Sequence, residues 1–348
     1  MISRFENIRV VLVEPSKKQR EQLKAALLRL GFRNIIDSGN LSTVQESIEG
    51  DVADLLIVDT SLPEGDVNEL IYKMRHGKLG TNPFLVVVTL VATPMANAVN
   101  AAINSGADDI AIKPYNMDHL CQRILSLTHT RKRFVVTTDY IGPDRRDKRR
   151  IEGQDIPQII VPNPLRMRVT GQVNPAKLRR SIDAASLKIN EEKIERHGYQ
   201  IKFLMDRLLP ALRSGQMTEQ ATADIDRLVR VTADMVSRSK GSIYSYIGEK
   251  CVTLLDMVTK LQADSSKIDP FDLNLLTKLG GLIKESVDPQ RNEKRIKIGK
   301  KEEEALKKKA AAESEDSFFD KDDEDDDENE KDSGEDAVAE EQYMAAAG

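Results

Sequence analysis

"VVLVEPSKKQREQLKAALLRLG", residues 10–31, changes its hydrophobic period part-way along. Its first four residues, Val10 to Val13, are an unbroken apolar run, the signature of a strand buried on both faces. After Ser16 the apolar residues fall at Leu23, Ala26, Leu27 and Leu30, which share one face of a helix. A Ser16/Gln19 capping box opens that helix and Gly31 closes it. Between strand and helix stands a lone carboxylate, Glu14, followed by Pro15.

The same switch recurs down the first 130 residues. Apolar runs at 54–58, 84–89 and 109–112, and a weaker one at 34–36, predict four more strands. Helical faces follow at Val67, Leu70, Ile71 and Met74, at Met95, Ala98, Val99, Ala102 and Ile103, and at Met117, Leu120, Cys121, Ile124 and Leu125. Five strands alternating with helical faces predict an α/β, doubly wound, five-stranded parallel sheet over residues 1–130, because parallel neighbours need crossover helices.

Beyond that domain the chain changes character. Residues 131–175 carry five prolines and the run "RRDKRR", and read as an extended basic linker. From 176 to 290 the pattern is helical. Leu187, Ile194, Ile201 and Leu208 recur every seven residues, with Asn190, His197, Leu204 and Ala211 on companion positions. Such a seam buries well against a partner helix, and predicts a homodimer through the helical region. Pro210 should end or kink that helix. Thr218 opens a second helix, Ile243 to Leu261 stripe a third, and Asp269–Pro270 starts a fourth, so an all-α bundle is expected. His197 is better placed as a polar residue setting register than as a phosphotransfer histidine. Residues 291–312 read as a charged, solvated helix. From 313 to 348 there are 17 acids and 2 bases, a disordered acidic tail of net charge −15 that leaves +10 on residues 1–312.

Composition excludes several classes. Two distant cysteines, Cys121 and Cys251, argue against a disulfide framework and for a reducing, cytoplasmic setting. No apolar leader precedes the first strand. The uncharged stretch 79–107 is broken by Asn82, Pro83, Pro94 and Asn97, so no membrane span is expected. Nucleic acid is disfavoured as a partner: aromatics are 4 %, no recognition-helix unit appears, and the acidic tail would compete for the basic segments.

Open parallel sheets bind ligands beyond the carboxyl ends of their strands. Those ends carry Glu14, Asp59 in "LLIVDTSLPEGD", Thr89 in "FLVVVTL" and Lys113 in "IAIKPY". A carboxylate can attack phosphorus, Mg²⁺ held by oxygens can neutralise incoming charge, and a hydroxyl and an ammonium can hold phosphoryl oxygens. In residue type, strand end and order, residues 6–129 resemble the receiver domain of bacterial two-component response regulators, a flavodoxin-like fold. The resemblance implies that Asp59 is the phosphoacceptor, assisted by Thr89 and Lys113. It also implies that Glu14, Asp59 and the Ser61 carbonyl hold Mg²⁺, and that Lys113–Pro114 is a cis peptide. The implied partner is a sensor histidine kinase or phosphotransfer protein, with the helical region relaying the state to a protein target and no output enzyme. Three positions depart from the pattern. Pro15 stands where a second acid ligates Mg²⁺, which weakens the metal site. Leu90 replaces a small residue after Thr89, and Ile110 an aromatic three residues before Lys113. A phosphorylation-independent scaffold built on the same surfaces is the alternative reading, and a nucleic-acid-binding regulator the third.

Overall fold

A computed structural model describes residues 5–146, 156–171, 174–264 and 268–288. The N-terminal part alternates as expected: β1 (Arg9–Val13), α1 (Lys17–Leu30), β2 (Asn34–Ser38), α2 (Leu41–Glu49), β3 (Leu55–Asp59), α3 (Val67–Arg75), β4 (Val86–Val91), α4 (Ala96–Asn104), β5 (Asp109–Ile112) and α5 (Met117–His129). The strands form one parallel sheet in the order β2-β1-β3-β4-β5. Successive side chains in a strand point to opposite faces, and the sheet is covered on both. Val10, Leu12, Leu55, Ile57 and Val88 pack with Leu23, Leu27, Leu120 and Ile124 of α1 and α5. Val11, Val13, Leu56, Val58 and Val87 pack with Val44, Ile48, Ile71 and Met74 of α2 and α3. The order reverses between β1 and β3, which opens a crevice at their carboxyl ends.

The stretch read as an extended linker is folded over much of its length. Strands β6 (Phe134–Val136) and β7 (Ile141–Pro143) form an antiparallel hairpin, Ile159 bridges to Phe134, and α6 spans Pro164–Val169. Apolar residues scattered through the basic sequence explain the difference. Phe134, Val136, Ile141 and Ile159 join Phe84 at the start of β4 and Ile182, Ala185 and Ile189 further on in a small core. The arginines are not all solvated: Arg131 donates to Asp108 Oδ1 at 2.8 Å and to the Phe84 carbonyl at 2.7 Å. Most of "RRDKRR", and the segments expected as a charged helix (291–312) and an acidic tail (313–348), lie outside the described residues.

Four helices follow: α7 (Pro175–Ser214), α8 (Glu219–Ser239), α9 (Gly248–Ala263) and α10 (Pro270–Val287). The starts of α7, α8 and α10 are capped by side chains, Asn174 accepting from Lys177 N, Thr218 from Ala221 N and Asp269 from Asp272 N. Pro210 does not end α7, which runs on to Ser214. The missing N–H falls near the helix end, and Leu208 and Leu212 on either side are buried in the bundle core. α7 packs on α8 and α10, and α9 packs on the same two, closing a ring.

That ring changes the meaning of the heptad seam. Ile194, Ile201 and Leu208 are fully buried among residues of α8, α9 and α10, whereas Leu187 is 49 % exposed. The partner helices are in the same chain, so the seam is consumed and does not support the expected homodimer. His197 does serve as a polar seam residue, its Nε2 2.8 Å from Asp234 Oδ2. Among the described residues no helix is long and apolar enough to cross a membrane.

Candidate functional site at the sheet's carboxyl edge

Strand ends place the site. Glu14 follows β1, its N–H bonded to the Ser38 carbonyl on β2; Asp59 ends β3; Lys113 follows β5, its N–H bonded to the Val91 carbonyl on β4. The Lys113–Pro114 peptide is cis. Both carboxylates are fully buried. The Lys113 ammonium sits between them: Nζ donates to Glu14 Oε2 at 2.7 Å, to Gln19 Oε1 at 2.7 Å and to Asp59 Oδ2. An ammonium has three protons, and here each has an acceptor. Burial works against the charge on Lys113, but the bonds from Asp59 and Glu14 outweigh it and hold the ammonium above its ordinary pKa.

The remaining carboxylate oxygens are also engaged. Ser61 N donates to Asp59 Oδ1 at 2.6 Å and its hydroxyl donates to the same atom, while Ser16 N donates to Glu14 Oε1 at 3.1 Å. Tyr115 lies nearby. Burial first, then the charges of Glu14 and Asp59, push its phenol up to about 12, so it is a neutral neighbour at pH 7.

Of the residues expected here, Glu14, Asp59, Ser61 and Lys113 come together, and Thr89 stands apart. Thr89 is fully buried beside Val58 and Ile110 in the sheet register, and its hydroxyl donates to the Asp109 carbonyl at 3.4 Å. Leu90 is the residue opposite Asp59, and it is wholly buried in the α1/α5 core rather than standing over the acid. Ile110 is partly buried against the α2/α3 core, and Pro15 is exposed. Gln19 is the member that sequence reasoning assigned only to helix capping.

The side-chain oxygens around Lys113, two carboxylates and an amide, suit a hard divalent cation by type. Two buried carboxylates share one ammonium, which leaves one negative charge for a cation to balance. Among the described residues no three His, Cys, Asp or Glu side chains gather as a metal cluster, so a cation here would depend on neutral oxygens and water as well.

Residues 10–125 match the family model described as the response regulator receiver domain. The response regulator MprA of Mycobacterium tuberculosis is 25 % identical over 126 residues, covering 36 % of this chain and 53 % of the relative. The transcriptional regulatory protein KdpE of Staphylococcus aureus is 23 % identical over 141 residues, covering 39 % of this chain and 58 % of the relative. The chain thus spans about half the length of the curated relatives it matches. The crystal structure of a response regulator from Thermotoga maritima aligns at 26 % identity with a TM-score of 0.30, covering 34 % of this chain and 95 % of that one. The family model ends before the hairpin, so the helical region lies outside it.

Proposed function

We propose that this chain, whose residues 10–125 are a receiver domain, is a bacterial two-component response regulator that accepts a phosphoryl group on Asp59. The observation that carries the reading is the buried Glu14–Lys113–Asp59 group at the carboxyl edge of a parallel sheet. An Asp59 oxygen attacks the phosphorus of a phosphohistidine on a sensor kinase or phosphotransfer protein. The phosphorus–nitrogen bond breaks, the imidazole leaves with a proton, and an acyl phosphate remains. Lys113 is placed to donate to the bound phosphoryl oxygens, and Thr89 is the hydroxyl on the neighbouring strand that a phosphoryl group would recruit. Glu14, Asp59 and the Ser61 carbonyl would hold Mg²⁺, which supplies the positive charge that a phosphoryl dianion requires. The helical region then presents the state to a protein partner in the cytoplasm, without an output enzyme of its own.

The test is labelling by acetyl phosphate with Mg²⁺, read as one added phosphoryl group by intact mass. Wild type should be labelled and Asp59→Ala should not. Equal labelling of both overturns the assignment of Asp59. A second reading, a phosphorylation-independent docking module, is favoured by Pro15 at the ligand position; a wild type that stays unlabelled selects it.

A further inference from the structure

We infer that Gln19 takes over the role of the acid that Pro15 displaces, its amide oxygen serving as a further protein ligand for the divalent cation at Asp59. The inference rests on the Mg²⁺-dependent reading of the site above, and adds to it a residue that the receiver pattern does not assign.

Three side-chain oxygens already converge on one cationic centre. Glu14 Oε2 and Gln19 Oε1 each lie 2.7 Å from Lys113 Nζ, and Asp59 Oδ2 accepts from the same nitrogen. Glu14, Asp59 and Gln19 therefore face a common point, with the Ser61 backbone tied to Asp59 from the other side. All are hard oxygen donors, the type Mg²⁺ takes.

The path of the chain explains why Gln19 is free for this. In a capping box the third helical residue reaches back to the backbone N–H of the cap residue. Here Ser16 Oγ does accept from Gln19 N at 3.4 Å. The reciprocal bond is absent because Ser16 N is given to Glu14 Oε1 instead. The Gln19 side chain is thus released from capping and turned towards Lys113. Pro15 is exposed and has no ligating side chain to offer from its own position.

Charge decides what this substitution does. With an acid at residue 15 the metal-free pocket would hold three carboxylates against one ammonium. An amide oxygen adds a ligand with no charge, so Mg²⁺ is bound less tightly but the metal-free pocket is spared that repulsion. A cation bound among the three oxygens would take the place that Lys113 Nζ holds there.

Equilibrium Mg²⁺ binding to the full chain, without any phosphodonor, tests this. Calorimetry and the free-Mn²⁺ resonance in competition give the affinity directly. Gln19→Ala should bind on the order of tenfold more weakly, as expected when a group that orders a metal site is lost. Gln19→Glu should bind more tightly than wild type. Gln19 is exposed and its cap bond is made by its backbone, so both variants should keep the wild-type circular dichroism. If wild type binds and Gln19→Ala binds equally well, the role of Gln19 is overturned while the metal site stands. If wild type takes up no Mg²⁺ or Mn²⁺, both fall together.

Discussion

Lys113 is the one ammonium between two fully buried carboxylates. Replacing it with Met leaves like charges facing each other with no counter-ion, a change that costs about 3 kcal/mol or more when a buried pair loses a partner. Urea unfolding of Lys113→Met at pH 7 should show that loss. Pro15→Asp makes the opposite test. It restores the second acid and should tighten Mg²⁺ binding, while lowering the metal-free stability slightly through added repulsion. Calorimetry with and without metal separates the two effects; unchanged affinity would mean that residue 15 does not face the cation. Glu14, Asp59 and Lys113 were legible in sequence because each sits one step from the end of an apolar run, where a buried charge has no structural excuse. Gln19 was not legible. Its role depends on which acceptor the Ser16 N–H chooses, and the capping pattern is the same either way.

At the scale of elements, the sheet was readable because buried parallel strands are long apolar runs, and the hairpin was not. β6 and β7 are three residues each, FVV and IGP, embedded in prolines and arginines that ordinarily signal solvent. Its anchor is Phe134, fully buried, edge-on to Phe84, with the Arg75 and Arg131 guanidinium groups over its ring at 5.2 and 5.1 Å. Phe134→Ala should cost about 3–5 kcal/mol by the usual penalty for a buried aromatic, measured as a shift of the urea midpoint. The heptad seam failed for a different reason: a seven-residue period says that a helix will be covered, not whether the cover comes from the same chain. Accordingly Ile201→Asp should unfold the bundle, whereas Leu187→Asp should leave its circular dichroism intact. The junction between α3 and the bundle also carries a pH dependence. His76 caps α3, stacks on Tyr72 and gives its carbonyl to Arg238 of α8. Burial, then the charge of Lys193, pushes its imidazole down to about 3 from 6.5. The unfolded chain therefore binds a proton that the folded chain refuses. Stability is full above about pH 6.5 and is lost as pH falls towards 3, by up to ~1.4 kcal/mol per pH unit. His197 is depressed too, by burial, so it adds to the trend. Urea midpoints between pH 7 and 5 should fall in wild type and fall less in His76→Gln.

Across the whole described molecule, the two ends of the parallel sheet do different work. The carboxyl end holds the Glu14–Lys113–Asp59 pocket. The amino end is where the chain beyond α5 is fastened. Asp54, just before β3, is paired with Arg9 and with Arg168 of α6, at 2.9 and 3.0 Å. Asp108, just before β5, is buried between Arg75 and Arg131, at 2.9 and 2.8 Å. The three charges there hold one another: burial presses Arg75 down to about 10, while the two guanidinium groups outweigh burial and hold the Asp108 carboxyl below its ordinary value. Leu165 of α6 completes the core between the sheet, α1 and α5. Cutting the chain at residue 130, where the strand–helix alternation ends, would remove Arg131, Phe134, Leu165 and Arg168 together. Asp108 would keep one partner of two, Phe84 would lose its cover, and Asp54 would lose α6. Each loss leaves buried polar or apolar surface facing water, and stripping one partner from a buried ion pair alone costs about 3–5 kcal/mol. A fragment of residues 1–130 should therefore unfold at markedly lower urea than one of residues 1–171, although both contain the whole five-stranded sheet and every residue of the acid pocket. The pocket lies at the other end of the sheet, so the Mg²⁺ affinities of the two fragments should agree wherever both remain folded. Equal urea midpoints would show that the amino-end ion pairs and the hairpin only decorate an α/β domain that is complete at residue 130. A shared loss of Mg²⁺ affinity in the shorter fragment would show instead that the two ends of the sheet are coupled.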